Sequence, residues 1–167
     1  MTKPSESLKR RNPKIGKKGS QAANQAVKKT LAKDIMNTNL IVVTPDHTYR
    51  DAVELLTAHR LTGLPVVDQN YKLLGLISER DILKATKQLD EITSSFLDKK
   101  IDYRNPIKSA RLTVSLSRIH KILIKNPFRH IPIVDLDNKL CGIITRRDLI
   151  RIIYLRIELN SEDLSEI

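Results

Sequence analysis

Apolar positions in this chain fall into short β-branched runs and stretches of helical spacing, and the order of the two repeats once along the sequence. Leu40–Val43 is an apolar run rich in β-branched residues and predicts a strand, stopped by Thr44-Pro45-Asp46. Thr48, three residues ahead of Asp51, has the spacing of a helix N-cap. Ala52, Val53, Leu55, Leu56 and Leu61 follow at helical spacing, and Gly63 is placed to end that helix. Pro65–Asp68 predicts a strand, Gln69-Asn70-Tyr71-Lys72 a turn, and Leu73–Ile77 a strand that closes a hairpin. Ser78 then starts a further helix through Asp81-Ile82-Leu83.

The rhythm recurs downstream. Ser115 stands as an N-cap, and Ile119, Ile122, Leu123 and Ile124 form an apolar face. Ile131–Val134 predicts a strand, Asp135-Leu136-Asp137-Asn138 a turn, Leu140–Ile144 a strand, and Asp148–Leu159 a closing helix. Sliding the chain by 67 residues lays Leu64–Asp81 on Ile131–Asp148 without a gap, with nine of 18 positions identical. Chance would give roughly one, so the chain is an internal duplication. Each unit is too small to bury a robust core alone. The pattern therefore predicts an α+β fold of two tandem βαββα modules, packed sheet to sheet with pseudo-twofold symmetry and with clefts between the copies. The expected boundaries are 30–88 for the first module, 89–100 for a linker and 101–156 for the second.

Charge changes the picture only at the ends. The net charge is +11, but residues 1–29 hold nine Lys or Arg against one acid, Glu6. The remaining residues are nearly balanced. Residues 1–20 are polar, basic and rich in Pro, Gly and Ser, which reads as a disordered tail, with a short lead-in helix expected over Gln21–Lys33. Residues 157–167 read as a C-terminal tail. Apolar runs are far below the roughly 20 residues a membrane helix needs. The polar N-terminus has no signal-like core. A cytoplasmic protein is expected, and the lone cysteine, Cys141, allows no internal disulfide and reads as a small core hydrophobe.

The motif Gly-apolar-apolar-Ser/Thr-x-x-Asp occurs twice, ending in Ser78…Asp81 and Thr145…Asp148. In each, a strand ends where a helix begins at a hydroxyl residue. The free N–H groups and positive dipole end of such a helix suit a phosphate, and the hydroxyls of Ser78 and Thr145 add donors. Arg80, Arg146 and Arg147 share those turns, and Arg129 and His130 precede the Ile-Pro strand, all placed to face a phosphate. The plain alternative is equally physical: the hydroxyls are caps, the aspartates first-turn acids, the arginines solvated charges and His130 an interface residue. Recurrence behind two apolar-Pro strands favours a site. No short-spaced His or Cys cluster suggests a metal, and no nucleophile elbow, P-loop or Gly-x-Gly-x-x-Gly is present.

Asp34-Ile35-Met36, Val42-Val43-Thr44-Pro45, Gly63–Asp68 and Gly75–Asp81 together resemble one cystathionine-β-synthase (CBS) domain. Arg129–Asp135 and Gly142–Asp148 resemble a second. The resemblance, a CBS pair or Bateman module, covers roughly residues 31–156. It implies a regulatory module that binds AMP, ADP, ATP, NAD or S-adenosylmethionine, requires no cofactor and often dimerises. It also implies that Asp81 and Asp148 hold the ribose, as an acid does in dinucleotide folds. Ile41, Val42, Val43, Leu64 and Pro65, with Ile131 and Pro132, would wall the adenine. The copies are unequal. The first has the better adenine wall in Ile41–Val43. The second has Ile107-Lys108-Ser109-Ala110 there and reduces the Asp-Ile-Met opening to Asp102-Tyr103, yet it has the richer phosphate environment in His130, Arg146 and Arg147.

The leading expectation is a stand-alone nucleotide sensor that is not an enzyme, since no catalytic-size domain remains after the modules are assigned. It would signal to a partner protein or through its own homodimer. A nucleic-acid regulator that uses the basic tail, with the pair as a dimerisation module, is the alternative.

Overall fold

The computed structural model describes residues 30–86, 94–127 and 129–162. The basic tail, most of the lead-in helix and residues 89–93 of the linker lie outside them. In the first copy, Thr48 caps helix α1 (Tyr49–Ala58): its Oγ1 accepts from Asp51 N at 3.2 Å, while the Asp51 carboxylate accepts from Thr48 N at 2.7 Å. This reciprocal box satisfies donors the first turn would otherwise leave bare. The helix ends at Ala58, not Gly63, which instead opens strand β1 (Gly63–Val67). Strand β1 pairs antiparallel with β2 (Leu73–Ser78), which leads into α2 (Glu79–Ala85). The short α3 (Ser94–Leu97) follows.

The second copy has β3 (Ala110–Arg111), α4 (Leu116–Lys125), β4 (His130–Val134), β5 (Leu140–Thr145) and α5 (Arg146–Glu162). The two hairpins have matching registers, Gly63↔Ser78 to Val67↔Leu73 and His130↔Thr145 to Val134↔Leu140, with an irregularity at the same place. The strand expected at Leu40–Val43 shrinks to a single parallel bridge, Val43↔Val66, and its counterpart is the two-residue β3 on β4. Pro45 and the Thr44–His47 turn stop it from running past Val43. Helix α5 extends through residues 157–162, into the stretch expected as a tail.

Each copy is completed by a segment of the other. Thr30 to Asn37, which precedes the first copy, lies on the second: Ala32 N donates to Val114 O, and Asn37 and Ile143 exchange backbone hydrogen bonds of 2.9 and 3.0 Å. Tyr103-Arg104, which precedes the second copy, lies on the first, where Arg104 and Leu76 exchange bonds of 3.0 and 3.2 Å. Ala32, Ile35 and Met36 accordingly pack in the core of the second copy, with Ile119, Leu123, Ile131 and Ile144. Ile101 and Tyr103 pack in that of the first, with Val43, Leu64, Val66 and Ile77. The crossing requires bare backbone beneath it. A Cβ at Gly142 would lie 2.4 Å from Met36 Sδ, and one at Gly75 would lie 2.5 Å from the Arg104 carbonyl oxygen. Tyr103 thus takes the place of Met36, one residue out of step with the Asp-Ile-Met alignment expected from sequence.

A third cluster closes the pseudo-dyad: Val67 and Leu73 of one hairpin meet Val134 and Leu140 of the other, flanked by Leu40, Val42 and Ile107. Leu73 N donates to Asn138 O and Leu140 N to Tyr71 O, both at 3.0 Å. Tyr71 and Asn138 hold positive φ in the equivalent hairpin turns. Cys141 is half-buried rather than core, because its strand alternates between buried and partly buried positions. Burial and the nearby Asp135 push its thiol pKa up, away from reactivity.

Candidate functional site

The two Ser/Thr-x-x-Asp turns have the same internal geometry. Asp81 Oδ2 accepts from Ser78 N at 2.9 Å and Ser78 Oγ at 2.5 Å. Asp148 Oδ2 accepts from Thr145 N and Oγ1, both at 2.7 Å. The capping reading is therefore real in both copies. In each case it occupies one carboxylate oxygen and leaves Oδ1 for another partner.

What surrounds the two turns differs sharply. Thr145, Arg146, Arg147 and Asp148 line a cleft of about 450 Å³, whose apolar side comes from Leu40, Ile41 and Pro65 of the other copy. Thr62, His130, Asn37, Arg60 and Arg129 also line it. The better adenine wall of the first copy and the richer basic set of the second thus face the same space, because the copies are related by a dyad and not by translation. The pseudo-equivalent cleft, lined by Leu76, Arg104, Ile107, Lys108 and Pro132 and shared at Arg129 and His130, measures only about 20 Å³. Arg104 fills it. Its Nε donates to Asp81 Oδ2 at 3.1 Å, and its guanidinium reaches Ser78 Oγ at 3.5 Å. The residue in that position of the open cleft is Asn37, which is too short to do the same.

The predicted site residues therefore separate. Asp148, Thr145, Arg146, Arg147, His130, Ile41 and Pro65 meet in the open cleft. Asp81 and Ser78 lie behind Arg104, with Pro132 in the closed cleft. Val43, Leu64 and Ile131 are fully buried core, and Val42 packs on the dyad cluster. Arg80 is exposed on α2, outside both clefts. Arg146 is pinned by main-chain acceptors, Leu123 O at 3.2 Å and Asn126 O at 2.8 Å. Sequence reasoning missed Arg60 and Thr62 on the open side and Arg104 on the closed side. Extending the 67-residue register upstream, to set Asn37 against Arg104, carries the signal for the last.

His130 sits at the junction of the clefts. Its Nε2 lies 2.8 Å from Thr62 Oγ1, and its ring fills the space of the absent side chain at Gly63, where a Cβ would be 3.0 Å from Cε1. Burial, then the positive charges of Arg104 and Arg129, hold its pKa down at about 4. The imidazole is neutral at pH 7 and offers a phosphate a hydrogen bond without a charge. The unfolded chain takes up this proton near pH 6.5 and the folded chain only near pH 4. Stability from this group is therefore intact above pH 6.5 and falls by about 3 kcal/mol as pH drops to 4. Urea titrations should show wild type losing that much more than His130→Gln across the window. Parallel losses in the two proteins would refute the assignment.

Among the described residues no cluster of His, Cys, Asp or Glu is arranged to hold a metal, and no helix is long and apolar enough to cross a membrane.

The model of the CBS domain family matches residues 32–87 and 100–155, once for each βαββα unit. The chain belongs to the CBS-domain family. It is 33% identical over 124 residues to an uncharacterised 17.7 kDa protein of Acidianus ambivalens, covering 73% of this chain and 72% of that one. The crystal structure of CBSX2 in complex with AMP superposes with a TM-score of 0.66 at 34% identity, over 77% of this chain and 98% of that one. The CBS domain pair of protein MJ0100, in complex with 5′-methylthioadenosine and S-adenosyl-L-methionine, superposes at 0.63 and 26% identity, over 76% and 98%. The chain also matches inosine-5′-monophosphate dehydrogenase of Methanocaldococcus jannaschii at 33% identity, but spans only 24% of that enzyme. It spans 58% of chloroplastic CBSX2 of Arabidopsis thaliana, at 32% identity.

Proposed function

We propose that this chain is a regulatory module, not an enzyme, that binds one adenosine-containing nucleotide in the open cleft and passes its presence to a partner protein or to a second copy of itself. The observation that carries this reading is the meeting of Ile41 and Pro65 with Thr145 and Asp148 around about 450 Å³. Ile41 and Pro65 give the adenine two apolar faces. The free oxygen of Asp148 accepts from the ribose hydroxyls. The start of α5, with Thr145 and the arginines, takes the phosphate. AMP in CBSX2 and the adenosine derivatives in the MJ0100 pair support the same ligand class.

Signalling requires that the ligand bind one arrangement better than another. The cleft is suited to that because its two sides belong to different copies. A homodimer is supported by the exposed Ile124, Ile150 and Ile153, which line a shallow groove between α4 and α5 with Leu123 and Leu149. The nucleic-acid alternative rests on residues 1–29 and gains no support from the folded part.

The test is calorimetric titration with AMP, ADP, ATP, NAD and S-adenosylmethionine, with sedimentation velocity of the free and loaded protein. The expected result is saturable binding at one site per chain and a change in sedimentation on loading. No binding by any of the five at millimolar concentration refutes the reading.

A further inference from the structure

The charge on the open cleft is far from balanced. Arg60, Arg129, Arg146 and Arg147 line it, and Asp148 is the one acid among the lining residues. His130 brings no compensating negative charge. The guanidinium groups of Arg60, Arg129 and Arg147 have no hydrogen-bond or salt-bridge partner among the described residues. Like charges gathered around one concavity raise its potential, and an anion entering relieves that repulsion.

Arg60 is particular to this cleft. It holds φ at 52° because it caps the C-terminus of α1, where Leu61 N donates to Leu56 O at 2.9 Å and Arg60 N to Thr57 O at 3.3 Å. The other two described non-glycine residues with positive φ, Tyr71 and Asn138, are a pseudo-equivalent pair in hairpin turns. The counterpart of Arg60 in the 67-residue register is Pro127, whose ring forbids that conformation. The first copy thus places a cationic side chain on the larger cleft at the end of α1, where the second copy has an uncharged proline.

We infer that this cleft selects nucleotides carrying a polyphosphate chain, ATP or ADP over AMP, and all of these over adenosine or S-adenosylmethionine. This choice rests on the reading of the cleft as an adenosine site. The helix start and Thr145 serve the first phosphate. Arg60, Arg129 and Arg147 lie around the same opening and neutralise those beyond it, where bidentate guanidinium–phosphate contacts are the strong ones. S-adenosylmethionine brings a sulfonium and an ammonium into the same field and is disfavoured.

The experiment is calorimetry on the full chain in magnesium-free buffer with ATP, ADP, AMP, adenosine and S-adenosylmethionine, repeated on Arg60→Gln/Arg129→Gln. The expected order is ATP, ADP, AMP, then the two without phosphate, with ATP about ten-fold or more tighter than AMP. In the double variant, whose folding is checked by its melting temperature, ATP affinity falls further than AMP affinity and the ratio narrows. Equal affinity for ATP and AMP in wild type overturns polyphosphate selection while leaving the adenosine site standing. So does an unchanged ratio in a folded double variant. Failure of every compound to bind overturns both.

Discussion

Asp148→Ala is expected to weaken nucleotide binding by about a hundred-fold, from the loss of two charge-assisted hydrogen bonds to the ribose at about 1.5–3 kcal/mol each, partly offset by relaxation. The matched control is built into the molecule. Asp81→Ala removes the same reciprocal contact, a carboxylate accepting from the backbone and hydroxyl of the residue three before it. Each variant should therefore lose about 1 kcal/mol of stability from its helix start, with Asp81→Ala also removing the ion pair to Arg104. Only Asp148 faces an open cleft, so only its loss should collapse affinity. Titration of the two variants side by side separates the roles of cap and ligand. Comparable affinity losses would show that the carboxylates act on helix stability alone, or that Arg104 leaves Asp81 whenever nucleotide is present.

The second large effect is a gain. Arg104→Asn with Lys108→Ile is expected to raise the number of nucleotides bound per chain from one to two. Arg104 donates to Asp81 and reaches Ser78, standing where a ribose would stand, while its pseudo-equivalent Asn37 does not extend across its own cleft. Removing the guanidinium frees the carboxylate. It leaves a poor adenine wall, because Lys108 occupies the position that Ile41 holds in the other copy. The pair of changes rebuilds both ends. Calorimetric stoichiometry checks it, and a stoichiometry still at one in a folded double variant would show that more than these two side chains keeps the cleft shut.

The contrast between the clefts shows what the sequence could and could not convey. The hairpins, their turns and the starts of α2 and α5 were legible, because apolar alternation, turn residues and hydroxyl–acid spacing are local signals. The repeat carried the pseudo-symmetry. The asymmetry of the copies was also visible, as a good apolar wall in one and a rich basic set in the other. Their meeting in one space was not, since it follows from dyad packing, which no local pattern encodes. Val43, Leu64 and Ile131 read as adenine contacts because a pocket wall and a core share the same residue types, and only burial tells them apart. Arg104 escaped notice because an arginine in a polar stretch looks solvated until its carboxylate partner is placed beside it.

The crossing of Thr30–Asn37 and Tyr103–Arg104 has a consequence for how the chain can be divided or recombined. Cutting in the linker gives two pieces, each lacking part of its own hydrophobic interior and carrying part of its sibling's. Ala32 and Met36 leave with the wrong half, as do Ile101 and Tyr103 when the cut falls before them. The self-contained block is a circularly shifted one, residues 38–104, which takes Ile101 and Tyr103 along with the hairpin they cover. Topologically the chain is a segment-exchanged dimer fused into one polypeptide, and its unit of inheritance is offset from its unit of folding.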